Sequence, residues 1–157
     1  MCVLRIFLLA ILIALAAGLA LSGCATVSAV NPKELPVLPK MLIVPPSPNL
    51  SPKMAAFLGT WEGMWDGVLA ARLIVYKIDG QLADYIYAWA ANPGQFRMGY
   101  DISVAKLYPE GKLEWTQPGK LRGYETTFTF TMSDDLKTIK GVRRGTSWSS
   151  ITMHKVE

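Results

Sequence analysis

Eight short segments of strand type follow one another between residues 58 and 156, and a turn separates each from the next. Glycine, proline and aspartate mark the turns, as in "DG" at 79–80, "NPG" at 92–94 and "PEG" at 109–111. These residues favour chain reversal, and short strands at regular spacing are typical of all-β sandwiches and barrels. Apart from a short turn at 52–57, no segment of helical period competes with this pattern.

We therefore predict an all-β fold, an eight-stranded antiparallel up-and-down β-barrel. Closing the sheet removes the two edges that an open sheet of hairpins would leave. A barrel of this size has an interior that is filled by side chains or that holds one small ligand. The predicted strands are 58–66, 69–78, 81–90, 95–108, 112–117, 121–132, 138–144 and 147–156.

Alternation along three of these segments predicts which side chains share a face. In "GTWEGMWDG" (59–67), both tryptophans, Trp61 and Trp65, fall on one side and the charged residues on the other. Two later segments give apolar faces that we expect to point inward. These faces are Tyr124, Thr126, Phe128, Phe130 and Met132 in one segment, and Phe96, Met98, Tyr100, Ile102 and Val104 in the other.

The beginning of the chain has the layout of a secretory signal. Residues 6–21 form a run of sixteen apolar residues without a charge, preceded by Arg5 and followed by small residues. A membrane-spanning helix usually needs about 20 residues, so this run is short for one. An uncleaved membrane anchor is the alternative, and both interpretations place the rest of the chain outside the cytoplasm.

The four residues that follow, "LSGC" at 21–24, resemble the lipobox of bacterial lipoproteins. The resemblance implies that Cys24 is acylated and that the chain is cut after Gly23. It implies a lipoprotein held in the cell envelope by its acyl chains, which anchor stably when there are two or more. Because Ala25 and not aspartate follows the cysteine, the resemblance favours the outer membrane, facing the periplasm, if the organism is Gram-negative.

Three parts of the chain follow from these features: a signal peptide at 1–23, a lipidated cysteine with a proline-rich linker at 24–52, and the barrel at 53–157. The linker contains seven of the ten prolines, which favour an extended spacer. Its apolar stretch "MLIV" (41–44) is the exception, and we expect it to pack on the barrel or on a partner.

Charge and cysteine content limit the partners. The mature chain loses one of 16 basic residues, Arg5, and none of 12 acidic ones, so its net charge falls from +4 to +3. The charges are scattered, and we expect an anionic envelope surface as partner and no nucleic acid. Since the resemblance implies that Cys2 is removed and that Cys24 is lipidated, we expect no disulfide and no cysteine-rich metal site in the fold.

The barrel pattern with Gly59, Thr60 and Trp61 resembles the lipocalin-like and avidin-like barrels, whose first strand begins with a Gly-X-Trp motif. The resemblance implies that Trp61 closes one barrel end. It implies that an arginine from a late strand, Arg143 or Arg144, lies over the tryptophan ring. Avidin's ligand-binding residues have no counterparts that can be placed here one by one.

The remaining aromatic residues are the candidates for ligand binding. Tyrosine and tryptophan have polar atoms that need partners when buried, so a dry core is better filled by phenylalanine or leucine. We predict a barrel that binds a small hydrophobic, lipid-like or sugar ligand; the alternative is a pocketless scaffold or an inhibitor of a lytic enzyme. The candidate residues are Trp65, Tyr87, Trp89, Tyr100 and Trp115.

Catalysis and cofactor binding are not expected. His154 is the single histidine, and the nearest serine on its face, Ser150, is four residues away along the same strand. That spacing is about 13 Å, too far for proton transfer. We also find no set of residues that would bind a metal.

Overall fold

The computed structural model describes residues 31–118 and 124–156, and it confirms the all-β prediction. Eight antiparallel strands form a closed barrel in which each strand pairs with its neighbours in sequence and β8 pairs with β1. The predicted signal peptide and Cys24 lie outside the described residues. The strands are β1 (Gly59–Trp65), β2 (Leu69–Asp79), β3 (Leu82–Trp89), β4 (Gly99–Tyr108), β5 (Lys112–Pro118), β6 (Glu125–Met132), β7 (Thr138–Arg144) and β8 (Trp148–Val156).

A single helical turn, α1 (Pro52–Ala56), lies where β1 begins, and we call this the lower end of the barrel. Ser51 caps the helix by accepting a hydrogen bond from the Met54 amide at 3.3 Å. Its hydroxyl also donates to the Pro109 carbonyl, between β4 and β5, at 3.0 Å. Phe57, directly after the helix, is fully buried. The helix therefore covers the lower end, and the upper end is the one where β1 finishes.

The lower half of the interior is filled by side chains. Several residues that face inward there have no measurable exposure, as expected for a close-packed core. They come from strands all around the barrel, so the packing is continuous. They are Trp61, Leu73, Val75, Ala83, Leu107, Leu113, Phe130, Ile139 and Met153.

The described part of the proline-rich segment, residues 31–50, runs along the outside of the barrel. The carbonyl of Pro32 accepts from the Ala70 amide at 3.0 Å, near the upper end. Lower down, the Val44 amide donates to the Tyr76 carbonyl at 2.8 Å, where a β-bulge between Val75 and Lys77 interrupts pairing. The bulge exposes a carbonyl that the ladder does not use. At least Val44 of the "MLIV" stretch thus contacts the barrel.

The barrel wall is incomplete between β4 and β5. Pairing of these strands stops at Lys106 and Glu114, whereas β4 pairs with β3 from Gly99 to Lys106. Above that point, residues 99–105 of β4 have no backbone partner in β5 (Lys112–Pro118). We call this opening the β4–β5 seam.

The prediction of which face of β4 points inward is wrong. Tyr100, Ile102 and Val104 lie on the outer surface and are about half exposed, at 45%, 45% and 50%. Asp101 and Ser103 instead share the inner face with the buried Ala105. The interior beside these residues is polar and open along the seam. An apolar side chain on the inner face of β4 would therefore gain little stabilisation from burial there. Tyr124 is also exposed, at the start of its strand.

Ion pairing at the lower end predicts a dependence of stability on pH. Lys53 of α1 contacts Asp134 between β6 and β7 at 2.7 Å, and this contact lowers the pKa of Asp134. A carboxyl with a depressed folded-state pKa stabilises the fold above its unfolded pKa, near 3.8, and this stabilisation is lost as the pH falls through the folded value. We expect Asp134→Asn to be less stable than the wild type at pH 7 and equally stable in strong acid.

Denaturant unfolding of the wild type and of Asp134→Asn, from pH 7 down to strong acid, measures the effect. Lys53→Met serves as the matched control, because it removes the same contact from the other side. A stability difference that persists unchanged in acid would contradict the prediction.

Candidate functional site

The upper half of the barrel interior contains polar side chains contributed by several strands. On β4 and β5 these are Asp101, Ser103 and Gln117, which share the inner faces of their strands with buried apolar residues. On β7 and β8 they are Arg143 and Ser149, which are directly paired across the two strands. This polar upper half lies above a packed apolar lower half, so the interior is divided into two layers.

One part of the polar layer is a network around Trp65. The Trp65 indole donates to the Tyr87 hydroxyl at 2.6 Å. The guanidinium of Arg143 lies over the Trp65 ring, 5.5 Å from its centroid, and donates to the Ser149 hydroxyl at 2.9 Å. The tryptophan therefore has its N–H satisfied and one face covered by a cation, which fixes its orientation.

The second part is an aromatic stack centred on Trp115. Its ring is nearly parallel to Phe128 and Phe130, with centroids 5.1 Å and 5.3 Å away, and Tyr85 lies 4.5 Å away. Trp115 is only 6% exposed. Its Nε1 is buried and has no hydrogen-bond partner among the residues that the structure describes. An unsatisfied buried donor costs about 1–3 kcal/mol, so this atom is the feature of the interior that most calls for an explanation.

The third part lies at the β4–β5 seam. The Gln117 amide donates to the Asp101 carboxylate at 3.1 Å and bridges the two strands where their backbones no longer pair. Ser103 points inward and yet is exposed. An exposed side chain on an inner face shows that solvent enters the barrel at this point.

Both tyrosines of the interior remain neutral at ordinary pH. Burial is the main cause that raises the pKa of Tyr87 well above its usual range, and the hydrogen bond from Trp65 and the charge of Arg143 only partly oppose it. Burial also raises the pKa of Tyr85, and the nearby Asp101 carboxylate adds to this shift. Both side chains therefore keep a hydroxyl hydrogen that can be donated.

The structure brings together four of the five predicted ligand-binding residues. Trp65, Tyr87 and Trp115 meet inside the barrel, where Tyr87 lies 5.5 Å from Trp115. Trp89 adjoins them at the upper end of β3, with its ring centroid 6.0 Å from that of Tyr87. It is half-buried and donates its indole N–H to the Arg97 carbonyl at 3.0 Å. Tyr100 is on the outer wall and does not belong to this site.

Sequence reasoning missed Asp101, Ser103 and Gln117. The apolar residues of the segment 96–104 predict the opposite face as the inner one, which would point Asp101 and Ser103 outward. In "AKL" (105–107), apolar residues alternate with a lysine, and this alternation indicates the correct inner face of β4. Ala105 and Leu107 are both buried, and Asp101 and Ser103 lie an even number of residues before them, on the same face of the strand.

Trp61 is the plug of the lower end, but its cation is not the expected one. The ring is fully buried, and its indole donates to the Phe57 carbonyl at 2.8 Å. Lys155 lies over it, 5.2 Å from the centroid, and donates to the Ala56 carbonyl at 3.0 Å. The expectation of Arg143 or Arg144 was wrong because β7 ends at the opposite, upper end of the barrel, where Arg143 covers Trp65 instead.

A groove of about 460 Å³ lies outside the barrel, between the proline-rich segment and strands β1 and β2. Lys33, Glu62 and Arg72 line it. Glu62 and Arg72 already form an ion pair with each other at 2.5 Å, so their charges are compensated. The upper interior holds more polar side chains than this groove, and Asp101, Gln117, Arg143 and Ser149 form hydrogen bonds within it.

His154 is exposed on β8 and lies opposite Glu62 of β1, and Ser150 is exposed on the same strand. Within residues 31–118 and 124–156, no cluster of three or more histidine, cysteine or carboxylate residues is arranged to hold a metal. The same residues contain no helix that is both long and apolar enough to cross a membrane. No family model, curated protein or solved structure matched this chain.

Proposed function

We propose that this protein is an envelope lipoprotein, anchored through Cys24, whose barrel binds a small hydroxyl-bearing ligand such as a sugar ring. The ligand would enter at the β4–β5 seam and occupy the upper half of the interior. Enclosed sites with a few convergent polar groups on an aromatic floor are typical of small-molecule binding.

The observation that carries the proposal is the buried Nε1 of Trp115, which has no hydrogen-bond partner within residues 31–118 and 124–156. It lies in a stack that holds the ring rigidly between Tyr85 and the two phenylalanines. A ligand oxygen that accepts from this atom would remove the cost of leaving it unsatisfied. A donor held in place before binding also loses little freedom when the ligand arrives.

The chemistry around this donor favours a ligand with several hydroxyl groups. Asp101 accepts hydrogen bonds, Gln117 both donates and accepts, and Ser103 does the same from an exposed position. Arg143 adds further donors beside Trp65. Long acyl chains are a poorer match, because the lower half of the barrel is occupied by fully buried side chains.

The anchor is supported by the sequence "LSGC" and by the course of the chain that follows it. Pro32, eight residues after Cys24, is already hydrogen-bonded to β2. Mass spectrometry of the chain isolated from bacterial membranes tests the anchor directly. Recovery of a Cys24 peptide without acyl chains would refute it.

A titration of the protein with a panel of monosaccharides, disaccharides and fatty acids tests the ligand. Intrinsic tryptophan fluorescence reports binding, since Trp65 and Trp115 both lie in the site. We expect sugars to shift the emission and fatty acids to leave it unchanged. The reverse pattern, or no response to any sugar, would contradict the proposal.

Trp115→Phe is expected to abolish sugar binding while preserving the fold. The phenyl ring retains the stacking but has no N–H, so a ligand loses this hydrogen bond and the unliganded protein loses an unsatisfied donor. We expect at least a tenfold loss of affinity, which corresponds to about 1.4 kcal/mol. Calorimetric titration measures it, and Tyr100→Phe on the outer wall is the control.

One observation favours a different function, the binding of an envelope protein. Tyr100, Ile102 and Val104 form an exposed apolar row on the outside of β4, beside the strand edge that β5 leaves unpaired. Exposed edges of this kind accept an added strand from a partner. Capture of a partner from envelope extract that is lost in Ile102→Lys, with no response to sugars, would favour this function.

A further inference from the structure

The two ends of the barrel differ in the residues that they expose. At the upper end, one large apolar side chain is exposed at the start of each even-numbered strand. Val68, Met98 and Tyr124 directly precede β2, β4 and β6, and Trp148 begins β8. Their exposed fractions are 62%, 39%, 56% and 63%. We call these four residues the upper rim.

The lower end carries charges of both signs. Glu110, Asp134 and Asp135 lie there together with Lys53, Lys137 and Lys155, and Lys53 is ion-paired with Asp134. The large apolar side chains exposed near this end are Leu82, which begins β3, and Val156, which ends β8. At the upper end, Arg97 and Arg144 balance Asp66 and Glu125 among the described residues. Charge therefore does not distinguish the two ends, whereas exposed apolar side chains do: among the described residues, four lie at the upper end and two at the lower one.

The course of the chain brings the anchor to the same end. Pro32 is bonded to Ala70, the second residue of β2, at the upper end. The eight residues from Cys24 to Pro32 reach at most about 28 Å, roughly the length of one strand of this barrel. A lipid on Cys24 would thus reach the bilayer most readily from the upper end, because reaching the lower end would require these residues to be fully extended along the barrel.

We propose that the upper rim docks on the surface of the lipid bilayer in which Cys24 is anchored. Trp148 and Tyr124 are residue types that settle at the membrane interface, where an apolar ring is buried and a polar atom stays hydrated. Four apolar side chains in one plane add to the binding that the acyl chains provide. The mouth of the barrel then faces the membrane, and ligand reaches it sideways through the β4–β5 seam.

Brominated lipids give a direct test, because bromine quenches a tryptophan that it contacts. The full chain, with its anchor, is reconstituted into phosphatidylethanolamine and phosphatidylglycerol vesicles whose acyl chains are brominated near the headgroup. Trp148 is the most exposed of the five tryptophans, and three others are nearly or fully buried. We expect quenching in the wild type and its loss in Trp148→Phe.

A matched control uses the opposite end of the barrel. In the Trp148→Phe background, Leu82→Trp places an exposed tryptophan at the lower end, and it is expected to remain unquenched. Quenching of this variant, or equal quenching with and without Trp148, would overturn the proposal. Because the anchor enters this argument from the proposed function, acylation of Cys24 is measured by mass spectrometry on the same sample, and sugar binding is measured separately. An acylated protein whose rim is not quenched refutes the docking alone.

Discussion

Replacing Trp61 by alanine is expected to lower the free energy of unfolding by about 3–5 kcal/mol, the largest effect of any single truncation that we predict. The ring is fully buried at the lower end, where it packs against Phe57 at a centroid distance of 6.5 Å. Its loss leaves a cavity, and it leaves the Phe57 carbonyl without the indole donor that lies 2.8 Å away. Lys155 loses the ring beneath it as well.

Chemical unfolding followed by far-ultraviolet circular dichroism measures this loss without depending on tryptophan fluorescence. Trp148→Ala is the matched control, since that ring is mostly exposed and its removal is expected to change stability by no more than about 0.5 kcal/mol. Trp61→Phe should fall between the two, because it keeps most of the packing and loses the hydrogen bond. A Trp61→Ala variant as stable as Trp148→Ala would show that the lower end is not closed by this residue.

Adding one methyl group at Gly63 is the second large effect, and we expect a loss of about 3 kcal/mol. Gly63 lies between Trp61 and Trp65 and pairs with Met153 of β8, at the junction that closes the barrel. A Cβ there would overlap the carbonyl oxygen of Thr152 and would come within 3.0 Å of the Met153 side chain and 3.1 Å of Ile151. The backbone oxygen cannot move without disturbing the pairing of β1 and β8.

Gly67→Ala is the control for this experiment. Gly67 has no atom within 4 Å of the added carbon, so the cost there is the left-handed backbone conformation, about 1 kcal/mol. Met153→Ala in the Gly63→Ala background should not restore stability, because the clash with backbone remains. Recovery in that double variant would mean that side-chain crowding, and not the close approach of the strands, keeps this position a glycine.

The strand order of the barrel was readable from the chain because turns and alternation are local properties. "DG" at 79–80 reverses the chain between β2 and β3, and both strands lie where the pattern placed them. The inward direction of Trp61, Trp65, Phe128 and Phe130 also followed, since each lies on a strand that is apolar on one side and polar on the other. In β4 the same rule failed, because the interior beside it is open to solvent and the apolar residues lie outside.

The candidate site depended on distances that no spacing in the sequence encodes. Trp115 was chosen as an aromatic residue, but only packing shows that its indole N–H has no partner. Asp101 and Gln117 are sixteen residues apart and meet because β4 and β5 separate above Lys106. Whether Arg143 or Arg144 can cover Trp61 likewise depends on the end of the barrel at which β7 finishes, and β7 finishes at the upper end.

The architecture of this protein can be read from the chain alone: eight hairpin-linked strands, two tryptophans on one face of the first of them and a proline-rich segment before them. These features follow from backbone preferences and from side-chain alternation, which act over a few residues. Only the folded chain shows that Lys155 and not an arginine covers Trp61, that β4 and β5 separate above Lys106, and that four exposed apolar residues lie at the upper end. Each of these is a long-range contact, and its energy depends on which distant segments the closed barrel brings together.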